Sequence, residues 1–341
     1  MANVAPGSPS TAVHMRVPLG VRTATLTVVV VPAAGLAGAG VLVWGWGFSW
    51  VEFGLLVGMY LLTAVGITVG FHRLFTHRAF ETNRVVQFIL AVLGSMAVQG
   101  PLLTWVAQHR QHHQHSDAHG DPHSPHLRGG GLLGLLSGLW HAHVGWFFLP
   151  DAPELMDYVK DLRQSGTLRI ASALFPVWVM LGLLIPTALG AILSGSWMGA
   201  LLGLMWGGLA RVFAVHHVTW SINSVCHLWG GRSFQTTDRS KNNFILGVLA
   251  LGEGWHNNHH AFPTSARHGL RWWQIDLGYG VIRALSLVGL AWRVKLPAQS
   301  AAARQRARER HPGGRGADGR CNSSPGSPPA QAGYGVYETD G

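Results

Sequence analysis

Twenty histidines stand in a chain of 341 residues that has only 15 aspartates and glutamates together. Three groups of them have a spacing suited to chemistry: His72-Arg-Leu-Phe-Thr-His77, His109-Arg-Gln-His112-His113 and His256-Asn-Asn-His259-His260. The second and third repeat the interval i, i+3, i+4, which on a helix brings three imidazoles to one face, as donors converging on metal must be. At this histidine content only about 0.07 such triplets are expected by chance, so two in one chain need a chemical reason. His72 and His77 are about 140° off a common helical face and are expected where a helix ends and unwinds. Imidazole suits iron, copper, zinc and nickel alike. Eight histidines exceed the needs of one metal, which points to two metals close together. The acids are too few and too badly spaced for the Glu plus Glu-x-x-His pattern of soluble di-iron bundles. An all-histidine dinuclear centre remains.

The elements that must position these residues are apolar. Hydrophobic residues make up 48% of the chain and charged ones 12%, about half the charge of a soluble domain. Uncharged runs long enough to cross a bilayer predict four spans, at about 23–46, 53–71, 170–189 and 197–215, in two hairpins. A signal peptide is the alternative for the first run, but the run exceeds the usual apolar length. All 25 lysines and arginines fall outside the two hairpin tips, so both termini and the histidine-bearing regions are expected to be cytoplasmic. The fold class is therefore an all-α integral membrane protein with a helical cytoplasmic cap carrying the histidines. The basic residues are scattered along that face, which speaks against nucleic acid. Val85 to Gln108 is also uncharged, yet a crossing there would separate the histidine groups, so it is read as a helix in or near the interface. Cys226 and Cys321 are the only cysteines, which excludes a disulfide scaffold or a four-cysteine metal site.

The three boxes, with Gly252-Glu-Gly-Trp-His256-Asn-Asn-His259-His260-Ala-Phe-Pro263 around the third, closely resemble the membrane fatty acid desaturases of the acyl-CoA Δ9 (stearoyl-CoA desaturase-like) type. Asp121-Pro122-His123, His143-Val-Gly-Trp146 and Trp220-Ser-Ile-Asn223-Ser-Val-Cys-His227-Leu-Trp-Gly230 are further matches, and the segment from His123 to His141 looks like that of bacterial members. The resemblance spans roughly residues 25 to 290. It implies two non-haem irons, one held by His72, His77, His109, His113 and His259. The other would be held by His112, His227, His256 and His260, with Asn223 reaching it through a water. No catalytic residue is expected beyond these ligands. The reaction implied is O2-dependent removal of two hydrogens from a saturated acyl chain, leaving a cis double bond at Δ9. The implied location is a bacterial cytoplasmic membrane.

Acyl-CoA is the substrate the resemblance implies, with a lipid-bound chain or an acyl carrier protein thioester as alternatives. Where the animal enzymes have Arg-Asp before the second box this chain has Ala107-Gln108, and a substrate-contacting Asn is replaced by Gly100. Trp105, Trp146, Trp220 and Trp255 flank the ligand segments and are expected to line the acyl tunnel. Asp117, Asp121, Glu253 and Asp276 are the acids available to orient imidazoles. His115, His119, His123 and His126 do not keep one face and are read as non-ligands, with His119 and His123 shaping the loop or standing behind the ligands. His141, His143, His216, His217 and His268 are read as packing or interfacial residues. In the tail, His311-Pro-Gly-Gly314 copies a haem motif, but the Gly-, Ser- and Pro-rich residues after it cannot build a haem domain. The domain is therefore set at 23–296, between a cytoplasmic tail at 1–22 and a disordered tail at 297–341. Electrons are expected from a separate ferredoxin or cytochrome b5-like donor with its reductase. A membrane di-iron hydroxylase is the rival enzyme. A metal transporter is the rival of another class, opposed by spans virtually free of ionisable residues.

Overall fold

The computed structural model describes residues 17–46, 49–152, 154–297 and 336–339. Among these, four helices are long and apolar enough to cross a membrane: Leu19–Leu42, Trp50–Thr76, Phe175–Ser194 and Trp197–Leu228. The first belongs to α1 (Leu19–Trp46). Ser49 starts α2 (Trp50–Val65) with a capping box, accepting from the Val51 N–H while Glu52 reaches back to the Ser49 N–H. The second span was expected to end at 71 with the chain unwinding. Instead α2 continues through Gly66–Thr76 as a π-helix. There the i→i+5 bond from the His77 N–H to the His72 carbonyl, 3.1 Å long, stacks residues five apart. The interval that looked wrong for a helix is right for this wider one. Bare backbone permits the close neighbour it needs, since a Cβ on Gly66 would stand 2.1 Å from the Gly94 nitrogen in α3 (Arg84–Ser95).

The segment expected to form one helix near the interface is two. After α3 the chain breaks at Met96–Pro101, with Val98 at a positive φ of 62°, before α4 (Leu102–His115) begins. Two buried side chains hold the break. Arg211 donates to the carbonyls of Met96 and Gly182, both at 2.7 Å, and His216 Nε2 to those of Ala97 and Val98, both at 3.0 Å. Neither half is long enough to cross a membrane.

After α5 (Gly131–His143), Gly166–Ala173 forms a separate helix, α6, so the third long helix, α7 (Phe175–Ser194), starts later than 170. Gly195, at φ 61°, turns the chain into the fourth. That helix runs on past 215 in three parts: α8 (Trp197–Gly203), a π segment (Leu204–Ala210) and α9 (Arg211–Leu228). The extra turns carry Asn223 and His227. Small residues let α7 and α8 touch through backbone, for a Cβ on Gly190 would stand 2.1 Å from the Gly199 carbonyl. Helix α1 packs on the π segment of the fourth long helix, with Gly35 against Leu209. Three short helices follow, α10 (Phe244–Leu249), α11 (His256–Ala261) and α12 (Leu277–Leu287). Two small antiparallel ladders close the chain, β1 (Glu81–Thr82) with β2 (Ala291–Trp292), and β3 (Val294–Pro297) with β4 (Val336–Thr339). Of the tail expected to be disordered, only β4 and Pro297 are described; His311 and its haem-like motif lie outside the described residues.

Candidate metal centre

Four elements deliver the histidines to one place. The π-helical end of the second long helix brings His72 and His77, α4 brings His109, His112 and His113, the last turn of α9 brings His227, and α11 brings His256, His259 and His260. They divide into two groups. The donor atoms of His72, His77, His109, His113 and His259 all lie within 4.8 Å of one another, and so do those of His112, His227, His256 and His260. The i, i+3, i+4 spacing serves both groups at once, since α4 and α11 each bridge them.

Ring nitrogens confront one another without a protein acceptor between them. His72 Nε2 lies 3.1 Å from His259 Nε2, His113 Nε2 3.0 Å from His259 Nε2, and His227 Nε2 3.0 Å from His256 Nε2. Donors on one metal at bonds of about 2.1 Å and right angles would be about 3.0 Å apart. The Nε2 atoms of His77, His112 and His260 are buried with no hydrogen-bond partner at all. Burial holds His109, His113, His256 and His259 well below the ordinary imidazole range, and His260 at about 4, with Asp238 only partly offsetting it. Neutral imidazoles with open lone pairs are what a metal takes, so the residues present fit a pair of metal ions.

Carboxylates orient the rings from behind. Asp121 lies 3.0 Å from His112 Nδ1, Asp117 2.8 Å from His227 Nδ1, Asp238 2.8 Å from His260 Nδ1, and Glu253 2.6 Å from His72 Nδ1. Burial alone would raise these four carboxyls; the imidazoles they pair with hold all of them far below the usual carboxylate range. Burial would lower His112 too, but the Asp121 carboxylate, helped by Asp117 and Asp238, outweighs it and raises the ring. Asp238 was not legible in the sequence, where Thr237-Asp238-Arg239-Ser240 reads as an ordinary polar loop. The asparagines inside the third box anchor it. Asn257 Oδ1 accepts from the Ser233 and Phe234 N–H groups, and Asn258 donates to the His268 carbonyl at 2.8 Å. His268, expected to be a packing residue, sits with its ring 4.5 Å from that of His259. His123 packs 4.4 Å from His112. His143 and His217 pair with each other at 3.0 Å, away from both groups.

An inner cavity of about 60 Å³ ends against His72, His109 and His256, with Asn223, Trp105, Trp146 and Trp220 in its wall. Gln99, Gln108, Trp146, Phe147 and Trp220 also line an outer cleft of about 440 Å³, which runs along Val17, Pro18 and the first turns of α1 to Val29. The two hollows share these residues as a common wall between α1 and the histidines. Trp255 lines neither. Its ring is buried against Gly247 and bonded to the Ile275 carbonyl at 2.7 Å, so it wedges α10 against the loop before α12. A separate cleft of about 550 Å³, lined mainly by polar residues, reaches His77, His113 and His260.

Residues 48–294 match the family model for fatty acid desaturases. The chain is 50% identical over 270 residues to the hex-5-enoyl-[acyl-carrier protein] acetylenase of Moorena producens, which covers 79% of this chain and 84% of that protein. It is 39% identical over 258 residues to the chloroplastic palmitoyl-monogalactosyldiacylglycerol delta-7 desaturase of Arabidopsis thaliana, covering 74% of this chain but 64% of the relative's length. With the sn-1 stearoyl-lipid 9-desaturase of Anabaena variabilis it shares 38% over 252 residues, 73% of this chain and 86% of the other. Histidine groups that fit two metals, four membrane-length helices and these matches lead to one conclusion: the chain belongs to the fatty acid desaturase family, oxidoreductases of lipid metabolism.

Proposed function

We propose that this chain is an O2-dependent fatty acyl desaturase that introduces a cis double bond, at position nine, into a saturated acyl chain at two non-haem irons. The observation that carries the reading is the pair of adjoining hollows walled by Trp146 and Trp220, one of which is lined by His72, His109 and His256. One iron would be held by His72, His77, His109, His113 and His259, the other by His112, His227, His256 and His260, with Asn223 beside it. Bound together with O2, such a pair supplies the oxidising power for unactivated C–H bonds that no side chain has. The protein's residues do the rest. Trp105, stacked 5.1 Å from His109, forms the wall nearest the histidines. Gln99 donates to Thr219 Oγ1 at 2.9 Å and accepts from the Trp105 N–H at 3.2 Å, so its polar atoms are satisfied and the chain meets no bare amide. A methylene pair offers no polar handle, so the fit of this wall fixes which carbons lie at the metals and keeps water away.

The head group is read from the cleft mouth. Gln108 donates to Asp151 at 2.9 Å there, and among the described residues lining the cleft Asp151 is the one charged side chain. The phosphates of coenzyme A would find no cation among them. This favours an acyl chain carried on a lipid or a carrier protein over the acyl-CoA expected from the sequence, in keeping with the substrates in the names of the three relatives above, while other relatives are named as acyl-CoA desaturases. The relative named as an acetylenase favours a second reading, in which the acyl chain already holds a double bond at the position attacked. Electrons would come from a separate ferredoxin or cytochrome b5-like donor. The histidines and both termini would face the cytoplasm, on the side carrying the lysines and arginines, with the domain at 23–296 in a bacterial cytoplasmic membrane.

Expression in a host without desaturases tests the reading, with fatty acids profiled by lipid class and iron measured per chain. The expected result is a new cis-monoene and two irons. Hydroxylated acyl chains without a new double bond would overturn it in favour of the hydroxylase, and zinc with unchanged lipids would end it. Purified enzyme given stearoyl groups on lipid, carrier protein and coenzyme A separates the head groups.

A further inference from the structure

A buried cation stands beside the five-histidine group, and metal binding does not account for it. Arg73, next to His72 in the chain, is fully buried. Its Nη2 lies 3.0 Å from Asp276 Oδ1, 3.1 Å from His268 Nδ1 and 3.3 Å from Glu253 Oε1. The backbone is cut away to admit it: a Cβ on Gly278 would stand 2.0 Å from Arg73 Nη1, and one on Gly252 2.3 Å from Asp276 Oδ1. Glu253 divides its two oxygens. Oε1 faces Arg73 and accepts from the Thr68 hydroxyl, and Oε2 faces His72 Nδ1 at 2.6 Å.

His268 is fixed at both ends. A guanidinium only donates, so His268 Nδ1 accepts from Arg73 and the neutral ring carries its proton on Nε2. Asp276 Oδ2 accepts from the backbone N–H groups of His268 and Gly269, at 2.7 and 3.1 Å, while Oδ1 caps α12 through the Tyr279 N–H. Asn258, between two histidines of the third box, holds the His268 carbonyl. The ring is thereby set 4.5 Å from His259 and 5.4 Å from His72. In the tautomer that the Arg73 contact assigns, Nδ1 is engaged and Nε2, buried without a hydrogen-bond partner, carries the proton, so His268 has no lone pair to give a metal.

We propose that Arg73, His268 and Asp276 form a positioning unit for the five-histidine group: they hold the Glu253 carboxylate on His72 Nδ1, so that His72 and His259 present Nε2 to the metal. His268 is thus a tenth histidine of the site that is not a ligand. The inference rests on the two-iron reading, and the experiment separates the two. Full-length protein is purified in detergent, loaded with ⁵⁷Fe, and compared with His268→Leu, which removes the acceptor for Arg73, and His268→Gln, which keeps one. Iron per chain, Mössbauer spectra and steady-state turnover are measured. Wild type is expected to hold two irons. His268→Leu should hold iron more weakly at one position and alter only one of two doublets, with kcat down a few-fold, less than for loss of a ligand's own outer partner. His268→Gln should keep both. Full iron and an unchanged spectrum in His268→Leu would overturn the proposal, as would equal losses in the Leu and Gln variants, which would reduce His268 to ring packing. If His268→Leu does not fold, Asp276→Asn carries the same readout: it should alter the same doublet, and an unchanged spectrum would overturn the proposal. Wild type without iron would instead fail the two-iron reading.

Discussion

The two histidine groups lie side by side but are built on different terms. The five-histidine group has one carboxylate behind it, Glu253, whose charge is shared with the buried Arg73. The four-histidine group has three, Asp117, Asp121 and Asp238, each within 3.0 Å of a ring nitrogen. A carboxylate behind an imidazole makes it a stronger donor and fixes its tautomer. One position therefore has more donors, and the other has fewer but more strongly backed ones, in more negative surroundings. Asn223 lines the same cavity as His256 of the second group. The comparison teaches that histidine count alone does not rank the two sites.

Removing a donor should break the comparison most visibly. His227→Ala takes one of four, and iron is expected to fall to about one per chain with turnover below about one hundredth of wild type, more than loss of an outer partner costs. His77→Ala takes one of five and should keep more iron. Equal iron loss in the two variants, by metal analysis, would show that donor number does not distinguish the groups.

A smaller effect is expected from the carboxylates. Asp121→Asn or Asp238→Asn should weaken one metal position by about 10- to 100-fold, read by competition with a chelator. Glu253→Gln should weaken the other position by less, because Arg73 already offsets part of its charge. A larger loss in Glu253→Gln would reverse the assignment of strengths.

Acid should separate metal-free from metal-loaded protein. In the metal-free chain burial holds His260 at about 4 and His123 at about 3, against about 6.5 in an unfolded chain. Below that value the unfolded chain takes up protons the folded one refuses, so metal-free stability should fall from about pH 6.5 down to about pH 4. Bound metal keeps the rings unprotonated, so the loaded protein should hold its melting temperature further into acid. Parallel melting curves would sink this account. Asp161 works the other way. Although partial burial would raise it, Arg110 and Arg78 hold it at about 2. Its contribution is present above the unfolded value of about 3.9 and lost only as pH falls toward 2, outside this window.

The smallest effect is expected at the surface. Arg78, bonded to Asp161, is 62% exposed at its side chain, and such pairs contribute about 0–1 kcal/mol. Arg78→Ala should therefore leave iron and turnover unchanged, since Arg110 also holds Asp161 and ties it to the Phe75, Thr76 and Tyr158 carbonyls.

The histidines of α4 and α11 were legible because helical periodicity is local, and charge gaps revealed the long helices for the same reason. His72 and His77 were misjudged in form, since no short-range pattern distinguishes a π-helix from the end of an α-helix. The break after α3 was marked by Gly100-Pro101, yet the buried clamps Arg211 and His216 lie more than 100 residues away. Asp238 and His268 sit in irregular loops, where contacts come from the whole fold. Trp255 differs from Trp105, Trp146 and Trp220 in facing a backbone gap at Gly247, which adjacency to a histidine box does not reveal.

Mössbauer spectroscopy of the ⁵⁷Fe-loaded protein beside Asp121→Asn tests the central claim most directly. Two irons per chain in two inequivalent environments, one of them selectively altered by Asp121→Asn, is the expected result. A single environment, or a variant that alters both equally, would contradict two separately built metal positions.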